Sequence, residues 1–248
     1  TQVATVVPYF HRFIGRFPTV GDLAGADLQD VLRLWQGLGY YRRARNLHAC
    51  AKAIVEEHGG IVPRDVETLL SLPGVGRYTA GAIASIAYGE RVPAIDGNAE
   101  RVLARVIAQR GRRGSAALRD LAHALVACER PDDVNQALMD LGSSICTPKK
   151  PACALCPLND DCAARLRGDQ ETFPRKAPKK AGTLRRGAAF IVTRGAELLV
   201  RTRPEKGLLG GMTEVPGSDW LAGQDDKSAL KQAPVLKGVT HWHRKVGV

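Results

Sequence analysis

Apolar residues recur at helical spacing through the first two thirds of the chain. Val3, Val6, Val7, Phe10, Phe13, Ile14 and Phe17 fall three or four apart, which predicts one amphipathic helix over residues 1–17. Pro8 inside that run predicts a kink or a break. Leu28, Val31, Leu32 and Trp35 repeat the period until Gly37 and Gly39 end it. Ala44, Leu47, Ala51, Ile54 and Val55 mark a further helix, closed by Gly59 and Gly60. The same reading predicts helices over 66–72 and 79–87 on either side of a Pro-Gly-Val-Gly turn, then over 98–108, 116–128 and 134–145. No strand-like alternation precedes residue 187, so this part is all-α.

The texture then changes. Residues 173–186 hold six Lys or Arg, two prolines and no acid, the composition of a solvated linker. Short apolar runs at 188–192 and 197–200, separated by Thr193-Arg194-Gly195-Ala196, predict a β-hairpin. The remainder is rich in Gly and Pro and is expected to open a second, α/β or β domain that is cut short. The chain begins at Thr1 rather than Met and enters a helical pattern at once, so it reads as a fragment of something longer.

Composition narrows the function. With 248 residues there is chain enough for one large or two modest domains. The longest apolar run, around residues 80–88, is half the length of a membrane span. Without a signal-peptide pattern, a cytosolic, reducing location is expected. Lys and Arg outnumber Asp and Glu by 36 to 25, a net charge of +11, which favours a polyanionic partner. Aromatic residues make only 5%, too few for a single-strand stacking platform, so duplex is the better fit.

Four of the six cysteines, Cys146, Cys153, Cys156 and Cys162, are spaced C-x6-C-x2-C-x5-C. In a reducing compartment such a group holds metal rather than disulfides. Zinc would call for two C-x2-C knuckles, and only Cys153–Cys156 supplies one. The uneven spacing suits the wider reach of a [4Fe–4S] cubane better, with zinc as the alternative. Cys50 and Cys128 fall on apolar helical faces and read as ordinary buried thiols.

Two further elements carry chemistry. In Leu72-Pro73-Gly74-Val75-Gly76-Arg77-Tyr78-Thr79-Ala80 the glycines permit positive φ and close approach. Backbone N–H groups there can converge on a phosphate oxygen, although a plain αα-corner needs the same glycines. Asp96, in Ala94-Ile95-Asp96-Gly97-Asn98, is placed to cap a helix. One helix beyond a phosphate grip, it is also placed to steady a cationic sugar during glycosidic cleavage, a reaction that commonly uses two carboxylates. No second carboxylate stands out.

The string Leu38-Gly39-Tyr40-Tyr41-Arg42-Arg43-Ala44-Arg45-Asn46-Leu47, the hairpin at 72–80, Asp96-Gly97-Asn98 and the four cysteines occur in that order. Over residues 1 to about 170 they closely resemble the helix-hairpin-helix DNA glycosylases that carry an iron–sulfur cluster, and within these the adenine DNA glycosylases of the MutY type. The resemblance implies a helical barrel over 1–91, a cluster module over 92–170, and a linker over 171–187. It also implies base-excision repair: flipping and hydrolytic release of adenine mispaired with 8-oxoguanine or guanine, at the bacterial nucleoid, by a monomer. By the same resemblance Asp96 stabilises the oxocarbenium ion, Asn98 orders the site and Tyr40 wedges into the duplex. Gln2, Pro73, Gly74, Val75, Gly76 and Arg77 would contact DNA, with Lys149, Lys150 and Arg165 nearby. At Tyr78 the endonuclease III type, which excises oxidised pyrimidines, carries its imine-forming lysine. Tyr cannot form that imine, which excludes a lyase using that nucleophile, and Tyr78 is expected to hydrogen-bond near Asp96.

The family's general-acid Glu lies upstream of the segment that begins here at Thr1, and Glu56, Glu57, Glu67 and Glu90 sit in other motifs. Severe loss of activity is therefore expected of this chain. Residues 188–248, with Gly210-Gly211-Met212-Thr213-Glu214-Val215-Pro216-Gly217, resemble the Nudix-like 8-oxoguanine-recognition domain of these enzymes. The Arg/Glu cluster of a hydrolytic Nudix box does not follow, and no loop reading 8-oxoguanine is recognisable. The competing readings are an oxidised-pyrimidine glycosylase with lyase activity and a non-catalytic, metal-containing duplex-DNA-binding module.

Overall fold

The computed structural model describes residues 3–109, 115–175, 182–204, 207, 209–239 and 241–243. The chain divides into two compact units, Thr1–Pro178 and Lys179–Val248. The first contains α1 (Val3–Arg16), α2 (Val20–Gly25), α3 (Leu28–Trp35), α4 (Arg42–His58), α5 (Val66–Ser71), α6 (Arg77–Ala82), α7 (Gly97–Val106), α8 (Ala116–Val126), α9 (Pro131–Ser144) and α10 (Ala163–Arg167). A π-helical turn, Ile83–Ala87, extends α6.

Three apolar clusters bind these helices. Phe17, Leu23, Val31, Ala44 and Ala51 join α1 to α4, and Ile54, Leu69, Leu72, Ala80 and Ala84 join α4 to the α5–α6 hairpin. Ala99, Val102, Leu103, Leu118, Leu138, Ala164 and Phe173 join α7 through α10. Leucine- and alanine-rich faces pack closely here, which brings the hairpin and α7 against α9.

The structure departs from expectation in several places. α1 runs on through Pro8 without a break. Half of its apolar face, Val6, Val7, Phe10 and Ile14, stays exposed. α2 was not foreseen, because six residues show too little periodicity. Its signal is a local one: Thr19 accepts from the Asp22 N–H at 3.1 Å and Asp22 accepts from the Thr19 N–H at 3.0 Å.

In the second unit, β1 (Arg185–Arg186) pairs with β6 (Leu221–Ala222), β2 (Thr193–Arg194) with β3 (Glu197–Leu198), and β4 (Arg201–Thr202) with β5 (Thr213–Glu214). All three pairs are antiparallel, and α11 (Asp226–Leu230) follows. The basic run ends in a paired strand, β1, ahead of residue 187. The hairpin is tighter than expected: Thr193 and Arg194 pair with Leu198 and Glu197 rather than forming the turn. Gly195, at φ +60°, lets a two-residue Gly-Ala loop match the strand twist. No helix among the described residues is long and apolar enough to cross a membrane.

Candidate functional site

Asp96 caps α7. Its Oδ1 accepts from the N–H groups of Asn98 (2.8 Å) and Ala99 (2.7 Å), and its Oδ2 accepts from Asn98 Nδ2 at 3.0 Å. Together the three donors fix the half-buried carboxylate in one orientation. Asn98, in turn, accepts from Arg101 Nη2 at 2.8 Å. Buried Arg101 also donates to the carbonyls of Gly142 (2.5 Å) and Cys146 (2.7 Å). A continuous hydrogen-bonded path thus runs from Asp96 to the first cysteine of the C-x6-C-x2-C-x5-C loop.

α9 supports this segment from both flanks. Asn135, 1% exposed, accepts from the Ala94 N–H at 2.8 Å and donates to the Val92 carbonyl at 3.0 Å and Ser85 Oγ at 2.9 Å. Two turns later Gly142 lies so close to Asn98 that an added Cβ would meet Asn98 Cβ at 2.7 Å. Gly81 plays the same part on the hairpin, where a Cβ would fall 2.3 Å from the Pro93 carbonyl oxygen.

Hairpin residues Pro73, Gly74, Gly76, Arg77 and Tyr78 are exposed, and Val75 tucks under them. Gly74 has φ +78° and abuts Asn46, so both reasons for a glycine apply there. Gly76 opens α6, leaving the N–H groups of its first turn without intrahelical acceptors and facing solvent. The Tyr78 hydroxyl does not reach toward Asp96. It donates to Met139 Sδ at 3.4 Å, on α9 between Asn135 and Gly142. Tyr78 and the Asp96 segment therefore flank one helix, linked by packing rather than by a hydrogen bond. Tyr40 is 80% exposed with φ +49°. Lys149, Lys150 and Arg165 are exposed as well. Gln2 lies outside the described residues.

The four cysteines Cys146, Cys153, Cys156 and Cys162 line a single cavity. In the polypeptide alone, burial pushes the Cys153 thiol above its ordinary value, and Cys146, Cys162 and Cys156 push it further. These three act on Cys153 because all four side chains line the one cavity. Arg105, 1% exposed, also lines the cavity. It donates to Cys146 Sγ at 3.2 Å and to the Thr147 carbonyl at 2.8 Å, while its Nε is buried without an acceptor. A buried cation and thiolates sharing one cavity fit an anionic iron–sulfur cluster. Cys50 and Cys128 are free and half-buried, and burial raises the Cys50 thiol.

Sequence reasoning passed over Arg101, Arg105 and Asn135. The signal available was a pair of arginines four apart on α7, which also describes a solvated helix edge.

Comparison with known proteins gives the family of the chain. Residues 1–141 match the family model of the HhH-GPD superfamily base excision DNA repair proteins, and residues 146–162 match the iron–sulfur binding domain of endonuclease III. The loop at 146–162 is the chain's [4Fe–4S] element. The chain is 38% identical over 292 residues to the human adenine DNA glycosylase, covering 98% of this chain and 53% of that one. It is 43% identical over 213 residues to the adenine DNA glycosylase of Mycobacterium tuberculosis, covering 83% and 69% respectively. Among solved structures it is similar to a thermostable thymine-DNA glycosylase, with a TM-score of 0.63 and 27% identity over 67% of this chain and 79% of that one. A non-covalent endonuclease III–DNA complex gives a TM-score of 0.56 at 25% identity, covering 70% and 79%. The chain spans about half the length of the human protein. It belongs to the HhH-GPD superfamily of base excision DNA repair proteins and, within it, to the adenine DNA glycosylases.

Proposed function

We propose that the chain serves to remove adenine mispaired with 8-oxoguanine or guanine in duplex DNA, acting as a monomer at the nucleoid. The observation that carries this reading is Asp96. Three donors hold its carboxylate at the head of α7, where it can face a sugar whose C1′ turns cationic as the base departs. Adenine takes up a proton as the C1′–N bond breaks with its electron pair leaving on the base, Asp96 stabilises the oxocarbenium centre, and water adds to C1′ and returns a proton to solvent. Tyr78 offers no amine, so the sugar is hydrolysed without an imine.

The remaining residues bind and orient. N–H groups around Gly74, Gly76 and Arg77, with Pro73 and Val75 shaping the turn, grip a phosphate without reading sequence. Tyr40 enters the duplex and offsets part of the unstacking cost of flipping the base. Gln2, Lys149, Lys150 and Arg165 add contacts to the DNA. Cys146, Cys153, Cys156 and Cys162 hold the [4Fe–4S] cluster, which when bound ties four points of the loop together through Fe–S bonds. We assign the barrel to residues 1–91, the cluster module to 92–170, and a Nudix-like unit facing the opposite base to 188–248. No residue of this chain is assigned the protonation of adenine.

The test is single-turnover adenine release from a duplex bearing A opposite 8-oxoguanine, run on this chain and on one extended at its N-terminus. Release by the extended form is expected. Intact duplex binding with no release from either would leave a DNA-binding module in place of an enzyme.

A further inference from the structure

We propose that Trp35 and Arg43 are positioning residues that hold Tyr40 as a preformed wedge. The inference rests on the reading of Tyr40 as the residue that enters the duplex. A tyrosine 80% exposed on a glycine-rich loop has no packing of its own to keep it outward. Its φ of +49°, following Gly37 at +99° and Gly39 at +68°, is a conformation that side-chain-bearing residues avoid. Something must stabilise it.

Three contacts do so. Trp35 Nε1–H donates to the Gly39 carbonyl at 3.0 Å, fixing the loop just before Tyr40. The Arg43 N–H donates to the Tyr40 carbonyl at 2.8 Å, fixing it just after. The Arg43 guanidinium then lies 5.5 Å from the Tyr40 ring centroid and 5.7 Å from that of Trp35, within cation–π range of both. Trp35 is itself anchored edge-on to Phe13 at 6.3 Å, and Phe13 to buried Phe17 at 5.2 Å. A ladder therefore runs from the core at Phe17, through Phe13, Trp35 and Arg43, to the exposed ring. A planar, weakly hydrated guanidinium stacks on aromatic faces better than a compact, strongly hydrated lysine ammonium. Ordering the ring before DNA arrives removes an entropic cost from each binding event.

The other job open to an exposed arginine is a phosphate contact, and the two roles separate experimentally. The whole chain is mixed at saturation with a duplex carrying 2-aminopurine in place of the target adenine opposite guanine. The fluorescence rise reports unstacking, and affinity is measured in parallel across salt concentrations. A rise with the parent chain, lost in Tyr40→Ala, is expected. Arg43→Lys and Trp35→Phe should each reduce it about two- to five-fold, the span of a cation–π contact, with the salt slope unchanged. Arg43 would be a phosphate contact, and the bracket overturned, if Arg43→Lys matched the parent. The same follows if Arg43→Gln kept the full rise but lost about 0.9 of the slope of log K against log salt. A rise that survives Tyr40→Ala, or no rise from a tightly bound parent, would instead remove the wedge reading itself.

Discussion

On the proposed mechanism Asp96 meets two demands with one carboxylate, and substitution can separate them. Asparagine keeps an oxygen to accept from the Asn98 and Ala99 N–H groups, so Asp96→Asn should alter stability by less than about 1 kcal/mol. It removes the negative charge that faces the developing cation, so adenine release should fall at least about a hundredfold. Single-turnover release from the N-terminally extended chain, paired with thermal melting, reads both effects. Parental release would remove Asp96 from the chemistry, and a collapsed melting temperature would make its role structural. The Asp96 cap was legible in the sequence because an Asp standing just before a helical run is an N-cap signature. Arg101 and Arg105 were not, because their partners Gly142, Cys146 and Thr147 lie about forty residues away. Only packing reveals that these cations are buried. Tyr78 was legible as an identity, a tyrosine where a lysine would form an imine, but not as a geometry. Its hydroxyl settles on Met139, which no local pattern predicts.

At the scale of elements, the helices of the first unit follow from periodicity almost wherever they exceed seven residues, and the short α2 escapes it. Closeness between helices is what periodicity leaves out, and small residues set it. Gly→Ala inside a helix ordinarily stabilises by up to about 1 kcal/mol. At Gly142 the new Cβ would press on Asn98 Cβ at 2.7 Å and on its carbonyl oxygen at 2.8 Å, neither of which can swing away like a flexible side-chain tip. Overpacking should win, so Gly142→Ala is expected to destabilise by about 1–3 kcal/mol. Gly15, in α1 with nothing within 4 Å, is the control, and Gly15→Ala should leave stability unchanged or slightly raised. Melting both variants beside the parent decides the matter. Equal shifts would mean that α7 and α9 can separate at no cost, and that Asn98 is not held by α9.

Across the whole first unit, the path Asp96–Asn98–Arg101–Cys146 makes the order of the carboxylate depend on the order of the cysteine loop. On the proposed ligand set, four Fe–S bonds would fix that loop, and Arg101 and Arg105 touch it through the Cys146 and Thr147 carbonyls and Cys146 Sγ. Stripping the iron with a chelator should therefore do more than loosen residues 146–162. Two buried guanidiniums would lose charge-assisted acceptors, and a buried cation without partners is expensive enough to disturb its own helix. Amide hydrogen exchange should rise over 146–162 and also over 96–105, while α2–α4, joined by the separate cluster of Leu23, Val31, Ala44 and Ala51, should hold its protection. Arg101→Met should reproduce the rise over 96–100 while keeping the iron, because it breaks the path without touching a ligand. If 96–105 stays protected after iron loss, the cluster steadies only its own loop. If all helices exchange together, the cluster is a global staple with no special line to Asp96. A rise confined to the two linked segments is the expected pattern, since among the described residues the Asp96 side chain bonds to Asn98 and Ala99, and Asn98 leads through Arg101 to Cys146.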